Sequence, residues 1–292
     1  MHELKLMDVQ KKYKDKEAVR KFNYTFTNGV YGLLGENGAG KTTLMRLICG
    51  VLQPTGGSIY CDNIEIASMG AEYRRLLGYL PQDFGYYGDF TTERFLRYMA
   101  ALKALPEDYA DCRIDELLDM VELKNVKKKK LKTFSGGMIR RIGIAQALLN
   151  NPEILILDEP MNGLDPIGIY EMREYLVNLC KEGNTTVFIS SHILSEIEQI
   201  ADVIGVMNHG RLLEEESITD LHKRLRRYAE YEVSNVEYVF SLLKERLDVS
   251  EILIDSKNRI RLFGKEMHRI EEINSYLIPV SYTHLTLPTK LE

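Results

Sequence analysis

Several short clusters in this chain carry residue types that do chemistry on phosphate. Gly35-Glu36-Asn37-Gly38-Ala39-Gly40-Lys41-Thr42 has the spacing G-x-x-x-x-G-K-[ST] of a phosphate-cradling loop, with Thr43 directly behind it. Its glycines let the backbone curl so that successive N–H groups point inward, and the helix that follows offers its positive end. Lys41 is placed to reach a β- or γ-phosphate, and the Thr42 hydroxyl to sit on a divalent cation. Further along, Asp158-Glu159 closes the apolar run Ile154-Leu155-Ile156-Leu157. An aspartate there suits a metal held through water, and the next glutamate suits a general base on an attacking water. Two carboxylates at the end of so apolar a segment are costly unless something binds them.

Four other positions are weaker alone. Gln82 follows an apolar segment, and by pattern alone it reads first as a solvated loop residue and only second as a ligand-facing one. His192 follows a buried strand and is either structural or a donor to a γ-phosphate. Tyr13 lies upstream of the loop and is either a surface tyrosine or a base-stacking one. Ser135-Gly136-Gly137 opens a long helical pattern, a second exposed helix start suited to an anion. It cannot easily share phosphates with Gly35–Thr42 of its own chain, which raises the idea that it serves another copy.

The flanking sequence supplies elements to hold these groups. Val30–Leu34 reads as a buried strand, and Thr43–Cys49 as a helix with Leu44, Leu47 and Ile48 on one face. Leu4–Val9 reads as a strand, Lys11–Lys16 as a polar turn, and Phe22, Tyr24 and Phe26 alternate as in a half-buried strand. Ser58–Tyr60 is a strand, and Tyr73–Leu80 is one apolar segment ending at Pro81-Gln82. Thr91–Lys132 reads as an all-helical insert, within a helical subdomain of about 88–145. It has a face of Phe95, Tyr98, Met99 and Leu102 and another of Ile114, Leu117, Leu118 and Val121. The insert closes on Lys127–Lys130, a solvated edge or a contact for acidic lipid or nucleic acid. Thr185–Ile189 is a second buried strand, and Val203–Met207 with Arg211–Glu214 a hairpin. Leu221–Tyr228 is basic and helical, and short strands at Tyr231–Val233, Ile252–Ile254 and Ile260–Leu262 surround a helix at Val236–Leu247. Ser281–Glu292 has little pattern and reads as a tail, added by read-through or by the expression vector. The expected organisation is therefore a main domain over 1–220, a small α+β appendage over 221–280 and a tail over 281–292.

Bulk properties bound the function. The 292 residues carry a net charge of −5, so no global basic field argues for nucleic acid. The four cysteines show no C-x-x-C pair and read as free thiols in a reducing compartment. The first residues lack the apolar core of a signal peptide, and no run reaches the length of a membrane span.

With these residues on the page, the chain resembles the ATP-binding cassette family over Leu4 to about Leu221. Tyr13 matches the aromatic A-loop, Gly35–Thr42 the Walker A motif, Gln82 the Q-loop and Ser135-Gly136-Gly137 the signature core. Ile154–Glu159 matches Walker B with its glutamate, Gly163-Leu164-Asp165 the D-loop and His192 the H-switch. Phe134 stands where leucine is usual in the signature and Met138 where glutamine is usual, so no amide reaches the nucleotide from that position. Met161-Asn162 replaces the commoner small residues before the D-loop.

The resemblance implies an α/β fold: a P-loop core with a mixed, mainly parallel sheet, an N-terminal antiparallel β-subdomain, the helical insert and the α+β appendage. It implies ATP and Mg²⁺ as ligands. Tyr13 would stack on adenine, and Gly35–Thr43 would hold phosphate. Thr42, Gln82 and Asp158 would serve Mg²⁺, Glu159 would orient water, and His192 would steady the γ-phosphate. Ser135, Gly136, Gly137 and Asp165 would act across a homodimer or a cassette heterodimer. It implies transmembrane permease partners, a cytoplasmic location on the inner membrane face, and export of the drug, antibiotic or polysaccharide type. The alternatives are a soluble ABC ATPase not coupled to transport and an ATP-gated regulatory module. The short insert and single cassette argue against the first, and Glu159 with His192 against the second.

Overall fold

A computed structural model describes residues 2–14, 16–182, 185–220, 228–246, 252–255, 259–263, 273 and 282–286. The chain divides into two compact units, Met1–Ile218 and Thr219–Glu292. In the first, β1 (Leu4–Tyr13), β2 (Lys16–Phe26), β4 (Gly56–Cys61) and β5 (Ile64–Glu65) form an antiparallel sheet in the order β2-β1-β4-β5. Lys11–Tyr13 belongs to β1 rather than to a turn. Polar residues suit an exposed strand end, and Tyr13 pairs with Lys16 across a tight hairpin.

A second sheet runs β10-β9-β3-β8-β7-β6. Its strands are β3 (Gly29–Leu34), β6 (Leu77–Leu80), β7 (Ile154–Asp158), β8 (Thr186–Ser191), β9 (Val203–Asn208) and β10 (Arg211–Ser217). Every pairing is parallel except β9 with β10. Strands β7 and β8 are buried at every residue, as expected of parallel strands covered on both faces. Helix α1 (Lys41–Ile48) lies between the two sheets. Its Leu44, Met45, Leu47 and Ile48 share one core with Leu4, Leu6, Phe22, Ile59, Ile156 and Phe188.

Tyr73–Leu80 is not one strand. After the short helix α2 (Ile66–Met69), α3 (Ala71–Leu76) occupies its first half, and only Leu77–Leu80 pairs with β7. Tyr73 is buried on α3 and donates its hydroxyl to the Ile48 carbonyl. A short apolar run cannot reveal that change of element by its periodicity. The insert comprises α4 (Thr92–Leu102), capped by Thr91, and α5 (Glu107–Met120), followed by 3₁₀ turns at Lys124–Val126 and Leu131–Thr133. The lysine run is partly neutralised, with Lys127 on Asp115 and Lys130 on Asp89. Helix α6 (Gly136–Leu148) packs on β6, and α7 (Pro166–Glu182) and α8 (Leu194–Ile197) complete the unit.

In the second unit, β11 (Tyr228–Val233), β12 (Ile252–Asp255), β13 (Arg259–Phe263) and β14 (Tyr282–Thr286) form a sheet in the order β12-β13-β11-β14. Helix α9 (Val236–Arg246) places Val239, Leu242 and Leu243 in its core with Tyr231 and Ile260. Two expectations change. Tyr228 begins a strand, the rest of the expected basic helix lying outside the described residues. Part of the segment read as a patternless tail forms β14, paired with β11 from Glu230↔Thr286 to Val233↔Tyr282. Tyr-Thr-His-Leu-Thr does not alternate apolar with polar residues, so only the partner strand reveals it.

Candidate functional site

Four of the five strands that run parallel to β3, β3 included, end at one level, since Leu34 pairs with Ser191, Asp158 with Ser190 and Leu80 with Leu157. Each then releases one of the clusters singled out above: Gly35–Thr42 after β3, Gln82 after β6, Asp158-Glu159 at the end of β7, and His192 after β8. The carboxyl edge of a parallel sheet is where α/β folds hold ligands.

At that edge lies a cleft of about 240 Å³, lined by Tyr13, Glu36, Asn37, Gly38, Gly40, Lys41, Thr42, Thr43, Gln82 and Glu159, together with Lys16 and Ala18. The loop's turn into α1 needs glycine at position 40. Its φ is +109°, and a Cβ there would sit 2.2 Å from the Ala18 carbonyl oxygen. Lys16 was not foreseen from sequence. Its Nζ lies 4.0 Å from where a Gly38 Cβ would be, over the glycine loop. The only signal was a lysine three residues after Tyr13.

Lys41 is 5% exposed and donates through Nζ to the Gly35 carbonyl at 2.5 Å and the Glu36 carbonyl at 3.3 Å. The same nitrogen lies 3.5 Å from Oε1 of Glu159, itself 4% exposed. The other oxygen of Glu159 lies 2.9 Å from Nδ1 of His192 and accepts from Nδ2 of Asn162 at 3.4 Å. Loop lysine, strand-end glutamate and histidine thus form one connected chain.

Glu159 has φ +53°, a left-handed backbone uncommon outside glycine and asparagine, and such strain collects at working sites. Asp158 is fully buried. Its Oδ1 accepts from Ser190 Oγ at 2.6 Å, and that oxygen in turn accepts from the Glu159 amide at 3.0 Å. Oδ2 of Asp158 is buried without a hydrogen-bond partner among the described residues. An orphaned carboxylate oxygen aimed from a strand end fits a hydrated divalent cation.

Ser135, Gly136, Gly137 and Asp165 do not line this cleft. Ser135 caps α6, accepting from the Met138 amide at 3.3 Å, and Ser135 and Gly136 are exposed. A Cβ on Gly137 would meet the Gly163 carbonyl at 2.8 Å, so the helix start and the Gly163–Asp165 turn are packed together. Asp165 caps the start of α7 through the Gly168 amide and lies 3.6 Å from Arg141. Gly35, Ala39, Asp158 and His192 are not among the lining residues either, His192 reaching the cleft only through Glu159.

Comparison with known proteins agrees with this geometry. The family model described as ABC transporter matches residues 19–162. The bacitracin transport ATP-binding protein BcrA of Bacillus licheniformis is 41% identical over 262 residues, covering 89% of this chain and 85% of the relative. The lantibiotic transport ATP-binding protein SrtF of Streptococcus pyogenes is 38% identical over 211 residues, 72% of this chain and 89% of its own. Among solved structures, a dimeric bacterial ABC transporter cassette superposes with a TM-score of 0.69 at 28% identity, covering 74% of this chain and 98% of that one. The dimeric post-hydrolysis state of an ATP-binding cassette bound to ADP and phosphate superposes with a TM-score of 0.68 at 27% identity, over 74% and 98%.

Proposed function

Because this chain belongs to the ABC transporter family and is an ATP-hydrolysing, ATP-binding subunit of it, we propose that it powers export of an antibiotic-type molecule through separate membrane-spanning subunits. Relatives named for bacitracin and lantibiotic transport support the antibiotic branch. No described helix is long and apolar enough to cross a membrane. In this reading the path for cargo belongs to membrane-spanning partners, which hold the cassette at the membrane's inner face.

In this reading ATP occupies the cleft, with adenine against Tyr13 and phosphates in the loop. Lys41 exchanges its loop carbonyls for phosphate oxygens. Thr42, Gln82 and the free oxygen of Asp158 would hold Mg²⁺, which would supply charge neutralisation for the phosphates. Glu159 accepts the hydrogen bond of a water in line with the γ-phosphorus and takes its proton. Attack then breaks the bond to the bridging oxygen, leaving ADP and inorganic phosphate. His192 holds the Glu159 carboxylate and reaches toward the γ-phosphate. Such catalysis is mostly positioning and electrostatic stabilisation.

The observation that carries the dimeric form of this reading is the exposure of Ser135-Gly136 away from the cleft of their own chain. Each nucleotide is closed by the α6 start of a second copy or a sister cassette. Glu159→Gln is expected to keep ATP affinity, lose turnover and accumulate an ATP–Mg²⁺ dimer in sedimentation velocity. Parental turnover in that variant contradicts the assignment of the base.

A further inference from the structure

Arg140, in the second turn of α6, is 6% exposed and spends its whole guanidinium on main-chain carbonyls. Nε donates to Pro160 at 3.2 Å. One terminal nitrogen donates to Pro81 at 3.0 Å and to Gln82 at 3.1 Å. The other donates to Asp158 and to Glu159. A guanidinium has five N–H donors in a rigid fork, and here five carbonyls from two segments receive them. The β6–β7 ladder stops at Leu80↔Leu157. Beyond it, Arg140 joins the Gln82 loop to the acidic end of β7.

The pair of bonds to Asp158 and Glu159 bears directly on the site. In an extended strand successive carbonyls point to opposite sides. One nitrogen can serve both only where the chain turns back, as it does at the left-handed Glu159. The guanidinium therefore holds the two peptides that flank the Glu159 Cα, and so sets the direction of its side chain. Burial pulls the Arg140 pKa down, against the opposing pull of Asp158, Glu159 and Asp83. A cation this buried is retained only where its partners are well placed.

We propose that Arg140 is a positioning residue for hydrolysis. It fixes Glu159 and the Gln82 loop to each other and to α6, so that movement of the signature helix changes the aim of the base. This rests on the hydrolytic role of Glu159 stated above. Arg140 does not itself line the cleft; it reaches only the main chain of two residues that do, Gln82 and Glu159.

The test uses Arg140→Lys and Arg140→Met in the full chain. Lysine keeps the charge but not the fork; methionine keeps the length alone. Both are expected to bind nucleotide with parental affinity and parental KM, while kcat falls about 10²-fold, the scale of a misplaced reacting group. Independently of any turnover, hydrogen exchange in the nucleotide-free variants should accelerate at the Glu159 and Asn162 amides. The first bonds Ser190 and the second the Glu159 carbonyl. Exchange along α1 should stay parental. Parental kcat in either folded variant, affinity lost in step with turnover, or unchanged exchange at both amides overturns the proposal. Failure of both variants to fold does so too, since it would assign Arg140 to the fold alone. A parent chain without ATPase activity would instead count against the hydrolytic role, with the exchange measurement still deciding Arg140.

Discussion

Single residues set what the cleft can hold. Tyr13 is 45% exposed at the end of β1 and lines the cleft, so its ring has an open face for a base. Tyr13→Ala is expected to weaken ATP binding by on the order of 1–2 kcal/mol in calorimetry, the scale of base–aromatic stacking. Equal affinities would leave it an ordinary surface tyrosine. Glu159 shows how a side chain and its backbone are specified separately. Its identity and its place after an apolar strand were readable in sequence. Its left-handed φ was not, because the carbonyl contacts that hold it come from Arg140, 19 residues away. Asp158 is the converse case. The cation-holding role proposed for it follows from being a carboxylate at a strand end, and Ser190, which occupies one of its oxygens, is supplied by the neighbouring strand.

At the level of elements, the helical insert is fastened to the edge of the parallel sheet by Lys103, at the end of α4. Its Nζ donates to Asn150 Oδ1 at 2.6 Å and to the Leu77 carbonyl at 3.3 Å. Burial lowers its pKa from 10.5 to about 8. In the unfolded chain the ammonium keeps its ordinary value, so between about pH 8 and 10.5 the unfolded state binds more protons. Stability contributed by this group therefore rises with pH through that window, and is lowest below pH 8. The unfolding free energy of the parent relative to Lys103→Met should shift in the parent's favour from pH 8 to pH 10. A difference that stays flat would mean the ammonium is better solvated than its surroundings suggest. Helix α1 and the insert were legible because their apolar positions recur at helical spacing. The break between α3 and β6 was not, because Tyr73 and Leu77 are both buried, whichever element carries them.

For the whole molecule, the proposed function implies a division of labour between two copies or two sister cassettes. A Cβ on Gly136 meets nothing within 4 Å among the described residues. Gly136→Asp should therefore leave the monomer intact, an acid at a helix start being favourable, yet repel the phosphates of a nucleotide brought by another copy. Lys41→Ala should cripple the chain's own cleft. Neither variant alone is expected to turn over ATP. Mixed, they form one site with both halves intact, and ATPase activity should reappear. Full turnover by Gly136→Asp alone, or no recovery on mixing, would mean that the two half-sites do not meet across a dimer.

What the sequence determined by itself is the set of devices confined to a few consecutive residues: the glycine loop and its lysine, the apolar strand ending in two acids, the serine-capped helix and the amphipathic insert. Each is a local conformational preference with its chemistry attached, so neighbouring residues suffice to announce it. The tertiary structure alone decided what depends on partners distant in the chain. It brought four strand ends to one level, turned Ser135-Gly136 away from the cleft and set Lys16 over the loop. It found β14 a pairing strand, and it gathered five carbonyls around Arg140. Hydrogen bonds between segments tens of residues apart follow sheet register and helix packing, and no local spacing encodes either.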